Sequence, residues 1–203
     1  NLIAGDLRPT SGRVLLFGDD VTRLPTERRI RRGLTRTYQT ALLFDGLTVA
    51  DNLFVALRGR RAGRMSLRRP RADDADRRRA RELAESVGLA DVLAAKAADL
   101  SHGERRQLEL GMALAGEPRL LLLDEPAAGL SPGERGRLSE LLLALDPAIS
   151  VLLIEHDLDV ALRVAKRVTV MHEGRIIAEG SPDEIRANRA VQDVYLGTNH
   201  GGG

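Results

Sequence analysis

Three features of the sequence predict an α/β fold built on a mostly parallel sheet. The first is Leu120-Leu-Leu-Leu running straight into Asp124-Glu125-Pro126. A short, continuous apolar run fits a strand buried on both faces, as in parallel sheets, and proline ends the ladder. The second is a similar run at residues 150–154, expected to be another buried strand, followed by Glu155-His156-Asp157. The third is the alternation of these runs with helix-start signals. Ser101-His-Gly-Glu104, Ser131-Pro-Gly-Glu134 and Ser181-Pro-Asp-Glu184 all have capping-box spacing.

The remaining elements follow in chain order. Asn1-Leu-Ile-Ala-Gly5 reads as the end of a helix closed by glycine. Residues 12–17 read as a strand and Gly18-Asp-Asp20 as a turn. Residues 26–32 form a short basic helix ended by Gly33, and Thr35-Arg-Thr-Tyr38 a strand with Gln39 at its exit. Residues 48–57 are helical: Thr48 and Asp51 have capping spacing, and Val49, Leu53 and Leu57 share a face. Arginines broken by Gly and Pro at 58–71 predict an exposed loop, and a charged helix runs over 73–87, stopped by Gly88. Residues 45–100 therefore form a helical insert in the α/β pattern. Residues 101–115 form the next helix, and 167–179 a hairpin around Glu173-Gly174. The tail 198–203 is expected to be disordered.

Composition narrows the class. Hydrophobic residues make up 43% and aromatics 2%, so the core is built from Leu, Val, Ile and Ala. There is no cysteine, which excludes disulfides and thiolate metal sites. His102, His156, His172 and His200 have no zinc-like spacing. The net charge is only +2, and the pI of about 9.5 exaggerates the basicity because the cations are nearly all arginine. No apolar run approaches the roughly 18–20 residues that span a bilayer.

The acidic pair is the chemical focus. At the carboxyl end of a central strand, where open α/β sheets bind ligands, two carboxylates belong on a wet edge that holds a cation. One can ligate Mg2+ through oxygen and the next can orient or deprotonate a water. The plainer alternative is a strand ending in an acidic turn.

Four features in fixed order decide between them: Gln39 after a strand, Leu100-Ser-His-Gly-Glu104, Leu120-Leu-Leu-Leu-Asp-Glu-Pro126 and Leu153-Ile-Glu-His156. Over residues 1–197 the chain resembles an ABC-type ATPase. Gly33-Leu-Thr-Arg-Thr-Tyr-Gln39, Leu43-Phe-Asp-Gly-Leu-Thr-Val-Ala-Asp-Asn-Leu53 and Val194-Tyr-Leu-Gly197 are similar to ATP-binding subunits of branched-chain amino-acid importers, or of related urea and amide importers. The resemblance implies a P-loop-type sheet with helices on both faces, ATP and Mg2+ as ligands, and a helical subdomain starting over 45–100 and continuing through the signature helix.

It also implies roles. Asp124 holds Mg2+, Glu125 is the general base, His156 senses the γ-phosphate, and Gln39 reaches the metal and the water when the site closes. Ser101, His102, Gly103 and Glu104 form the signature loop, which serves the nucleotide of the other subunit. His102 and Glu104 depart from the usual Ser-Gly-Gly-Gln, while Ser101 and Gly103, the phosphate-facing pair, remain. Ser131 stands where many members carry Asp, and keeps a polar group across the interface. No Gly-x-x-x-x-Gly-Lys-Ser/Thr occurs in the 203 residues. The resemblance leads us to expect that cradle, with its strand, before Asn1, leaving the N-terminal β-subdomain incomplete and these 203 residues inactive alone. On this expectation, strand 120–124 lacks a parallel neighbour.

The implied partners are a second copy or a paralogous ATPase subunit, and separate permease subunits docking near residues 42–57, at the cytoplasmic face of the plasma membrane. No nucleic acid is expected. An ABC ATPase acting on nucleic acid is the alternative suggested by the arginines of 58–81, and a non-catalytic fragment is a third reading.

Overall fold

A computed structural model describes residues 1–37, 43–60 and 75–198. The parallel sheet is three strands in the order β3-β4-β5: β3 Leu34–Arg36, β4 Leu120–Asp124 and β5 Ser150–Ile154. Its register pairs Arg36 with Leu122, and Asp124 with Ile154. Because side chains alternate along a strand, the leucine run divides between two layers. Leu121 and Leu123 face the larger core, while Leu120 and Leu122 face a smaller one with Ala4, Leu16, Val21 and Leu34.

The larger core is helical. It is built by α2 Val49–Arg60, α3 Ala75–Ser86, α4 His102–Leu114 and α5 Pro132–Leu143, closed by α6 Leu158–Val164. Val49 and Leu53 of α2 are fully buried, as their spacing predicts, and the helix runs to Arg60 rather than ending at 57. Two 3-10 turns, Ala90–Val92 and Ala97–Asp99, join α3 to α4. Gly88 after α3 has φ +75°, which lets the chain reverse where a side chain would be strained.

The smaller layer is residues 1–24 with α1 Thr26–Ile30. The strand expected over 12–17 is shorter: β1 Leu15–Leu16 pairs antiparallel with β2 Asp19–Asp20. The turn is Phe17-Gly18, both at positive φ, as a two-residue hairpin requires. Arg29 is buried within this layer and satisfies it. Its guanidinium donates to the carbonyls of Leu2 (2.8 Å), Ile3 (2.7 Å), Thr22 (3.1 Å) and Leu24 (3.0 Å), and burial lowers its pKa.

Two expectations about the sheet are corrected. Strand 120–124 does not lack a parallel neighbour; β4 is central, with β3 on one side and β5 on the other. β5 is not buried on both faces. Val151 and Leu153 pack on the helical core, but Leu152 is 39% and Ile154 54% exposed. The layer of residues 1–24 packs on that face against Leu34, Leu120 and Leu122, not against β5.

The C-terminal part is a hairpin, β6 Val168–His172 and β7 Arg175–Gly180, followed by α7 Pro182–Ala187 and α8 Arg189–Thr198. Thr198 thus belongs to a helix; residues 199–203 lie outside the described residues. So do Gln39, Leu42 and the arginine-rich residues 61–71. No helix among the described residues is long and apolar enough to cross a membrane.

Candidate functional site

Two groups of side chains form at the carboxyl ends of β4 and β5. In the first, β4 delivers Asp124 and Glu125 and β5 delivers His156. Glu125 leaves the strand at φ +48°, a left-handed conformation that is costly for a side-chain-bearing residue and concentrates at functional sites. Its backbone N–H donates to the Ile154 carbonyl (2.8 Å), which locks the two strand exits together. His156 Nδ1 lies 3.7 Å from Glu125 Oε1, and the imidazole is 69% exposed. Glu155 braces the pair from behind by accepting the Ala127 N–H at 2.8 Å. Asp157 caps α6 through Val160 N–H and also accepts from Arg135 at 2.6 Å.

Asp124 is half-buried and bound to Arg36, whose guanidinium lies 2.9 Å from Oδ2. The same guanidinium reaches Asp6 and Asn1. Arg36 is not among the candidate site residues that the motifs mark. The available signal was an arginine two residues after Leu34 on a short buried strand, a position that demands an anion.

The second group is the start of α4 and the loop before α5. Ser101 caps α4 in a complete capping box with Glu104, as its spacing predicts, so Glu104 is engaged locally. Ser131 caps α5 in the same way with Glu134. The carboxylate of Glu134 also accepts the Gly103 N–H at 3.0 Å, joining the two helix starts. The Ser131 hydroxyl and N–H, then the Gly103 N–H, hold the Glu134 carboxyl below the usual carboxylate range. His102 Nε2 lies 3.4 Å from the Ala128 carbonyl and packs over Gly129, whose φ is +76°. Glu134 was legible only as a cap; its reach to Gly103 is tertiary.

Among the described residues, no group of three or more His, Cys, Asp or Glu could hold a metal. Asp124 stands at the exit of β4 as one carboxylate, beside Glu125. That donor set fits Mg2+, which binds through one or two carboxylates and takes its other oxygens from water and phosphate.

The family model described as "ABC transporter" matches residues 1–128. The chain belongs to the ABC transporter ATP-binding family. A second family model, "Branched-chain amino acid ATP-binding cassette transporter", matches residues 175–201. The chain is 36% identical to the high-affinity branched-chain amino acid transport ATP-binding protein LivG of Escherichia coli, over 97% of this chain and 80% of that protein. It is 32% identical to the lipopolysaccharide export system ATP-binding protein LptB of Haemophilus influenzae, over 97% of this chain and 78% of that one. Among solved structures, MJ1267, an ATP-binding cassette of an ABC transporter, superposes with a TM-score of 0.82 at 29% identity, covering 96% of this chain and 81% of that one. This ATPase family hydrolyses ATP, and the chain is homologous to the energy-coupling subunits of branched-chain amino-acid importers.

Proposed function

We propose that this ATPase binds ATP with Mg2+ at the ends of β4 and β5, and that hydrolysis there powers import of branched-chain or related amino acids through separate permease subunits. The observation that carries the chemical part is the convergence of Asp124, Glu125 and His156 on one sheet edge. Mg2+, when bound with ATP, would offset charge on the phosphate oxygens. Asp124 holds that cation. Glu125 accepts a proton from the attacking water, a contribution of about 100- to 10,000-fold for a well-placed base. His156, exposed and unencumbered by a close hydrogen bond to Glu125, is free to meet the γ-phosphate. The start of α4 is the surface for the nucleotide of a second ATPase subunit, since helix N-termini attract phosphate; to meet it, the Gly103 N–H would exchange the Glu134 carboxylate for a phosphate oxygen.

The importer assignment is supported by the second family model and by LivG; similarity to LptB argues for the ATPase but not for its cargo.

Membrane attachment is assigned to the loop before α2. Phe44 is 48% exposed and Leu47 36%, while Leu43 packs on the helical core. Buried Asn52 braces this loop, accepting the Phe44 N–H and donating to the carbonyls of Phe44 and Thr48. Arg105, next to the start of α4, donates to Asp45 at 2.8 Å, so a partner seated on the loop would also feel that helix. The loop therefore suits docking of a peripheral subunit on a membrane partner, which we place at the cytoplasmic face from the kinship with transport ATP-binding proteins.

The test is reconstitution of the full-length protein with its permease in liposomes. Leucine, isoleucine or valine, delivered by the cognate binding protein, should stimulate ATP hydrolysis and accumulate inside. ATP hydrolysis without stimulation by any of them would remove the substrate class and keep the ATPase.

A further inference from the structure

We propose that Arg36 is a resident cation that competes with the divalent metal for Asp124, and that Asp6 is the anion to which it retreats. The inference rests on the reading of Asp124 as the metal-holding residue.

The register explains why Arg36 and Asp124 meet. Arg36 stands opposite Leu122, and Asp124, two residues on, returns to the same face of the sheet. One guanidinium nitrogen lies 2.9 Å from Asp124 Oδ2; the other lies 2.5 Å from Asp6 Oδ2 and 2.6 Å from Asn1 Oδ1. The Arg36 side chain is 13% exposed, Asp124 22% and Asp6 33%, so solvent screens this chain of charges only in part.

A divalent cation arriving at Asp124 brings two positive charges beside a guanidinium already on that carboxylate. The two cations repel, and arginine cannot give up its charge by deprotonation. Arg36 must withdraw, and it can do so without being stranded because it already holds Asp6 and Asn1. Without metal, Arg36 keeps Asp124 paired. With metal, the Asp6 contact keeps Arg36 paired. Arg36 acts through Asp124 and is a positioning residue.

Binding of Mn2+ to the full-length protein with a non-hydrolysable ATP analogue, read from the signal of free Mn2+ by electron paramagnetic resonance, tests this without turnover. Arg36→Gln should tighten Mn2+ roughly three- to tenfold by removing the competitor. Asp6→Asn should loosen it by a similar factor, because the carboxylate to which Arg36 would retreat is lost. The double variant should behave like Arg36→Gln, and Arg36→Lys, which keeps the charge, should stay near wild type. Looser or unchanged Mn2+ binding in Arg36→Gln overturns the proposal, the former by showing an orienting role. Should Arg36→Gln fail to fold, unchanged or tighter binding in Asp6→Asn overturns it alone. Asp124→Asn separates the two readings: if it leaves Mn2+ affinity intact, the assignment of the metal to Asp124 fails as well.

Discussion

His156 Nδ1 stands 3.7 Å from Glu125 Oε1, across the exits of two hydrogen-bonded parallel strands. The separation exceeds a hydrogen bond, so the imidazole does not tie up the carboxylate, yet both can face one reacting water and one phosphate. On the proposed mechanism the two residues fail differently.

Glu125→Gln keeps size and polarity but removes the proton acceptor. Steady-state ATP hydrolysis should fall by about 100-fold or more, while Mg2+-dependent ATP binding stays within a few-fold and an ATP-bound dimer accumulates on gel filtration. Turnover close to wild type would rule Glu125 out as the base.

His156→Ala should lower kcat by roughly ten- to a hundredfold and weaken ATP more than ADP, because the lost contact is to the γ-phosphate. Competition of the two nucleotides for a fluorescent analogue measures the difference. Equal weakening of both would place His156 outside γ-phosphate recognition.

Arg29→Met removes the donors to four carbonyls while roughly keeping volume. Hydrogen bonds to charged groups contribute about 1.5–3 kcal/mol each, but losses within one network do not add, so a net destabilisation of about 3 kcal/mol is expected. Urea unfolding checks it. Gly5→Ala should be costly in the same layer, since the added Cβ would meet Arg29 Nε at 2.9 Å at a residue with φ +95°.

The loop before α2 can be mapped by single cysteines at positions 45–50, because the chain has none of its own. Crosslinks from these positions to the permease are expected, and Phe44→Glu should release the ATPase from membranes without reducing its basal hydrolysis. Crosslinks confined to the arginine-rich stretch would place the docking surface elsewhere.

The local signals in the sequence sufficed for the helix starts and for the strand that ends in Asp124-Glu125. Capping boxes at Ser101, Ser131 and Ser181 are decided within four residues, and all three form as their spacing predicts. The order of motifs was enough to identify the ATPase family. Tertiary structure alone decided which two strands flank β4. The runs of β4 and β5 are both apolar, and apolarity does not reveal how many neighbours a strand has or which face is covered, so the exposure of Leu152 and Ile154 on β5 is not legible in its run. It also decided the partners of the charged side chains. Glu134 reads locally as a cap, but also holds Gly103, 31 residues away. Arg36 reads as a strand residue, but pairs with Asp124, 88 residues on, because parallel register sets them on one face. Local spacing determines a cap because its donors and acceptors are covalently near. A long-range ion pair depends on strand register and on which layer covers the sheet, and both are set only when the whole core packs.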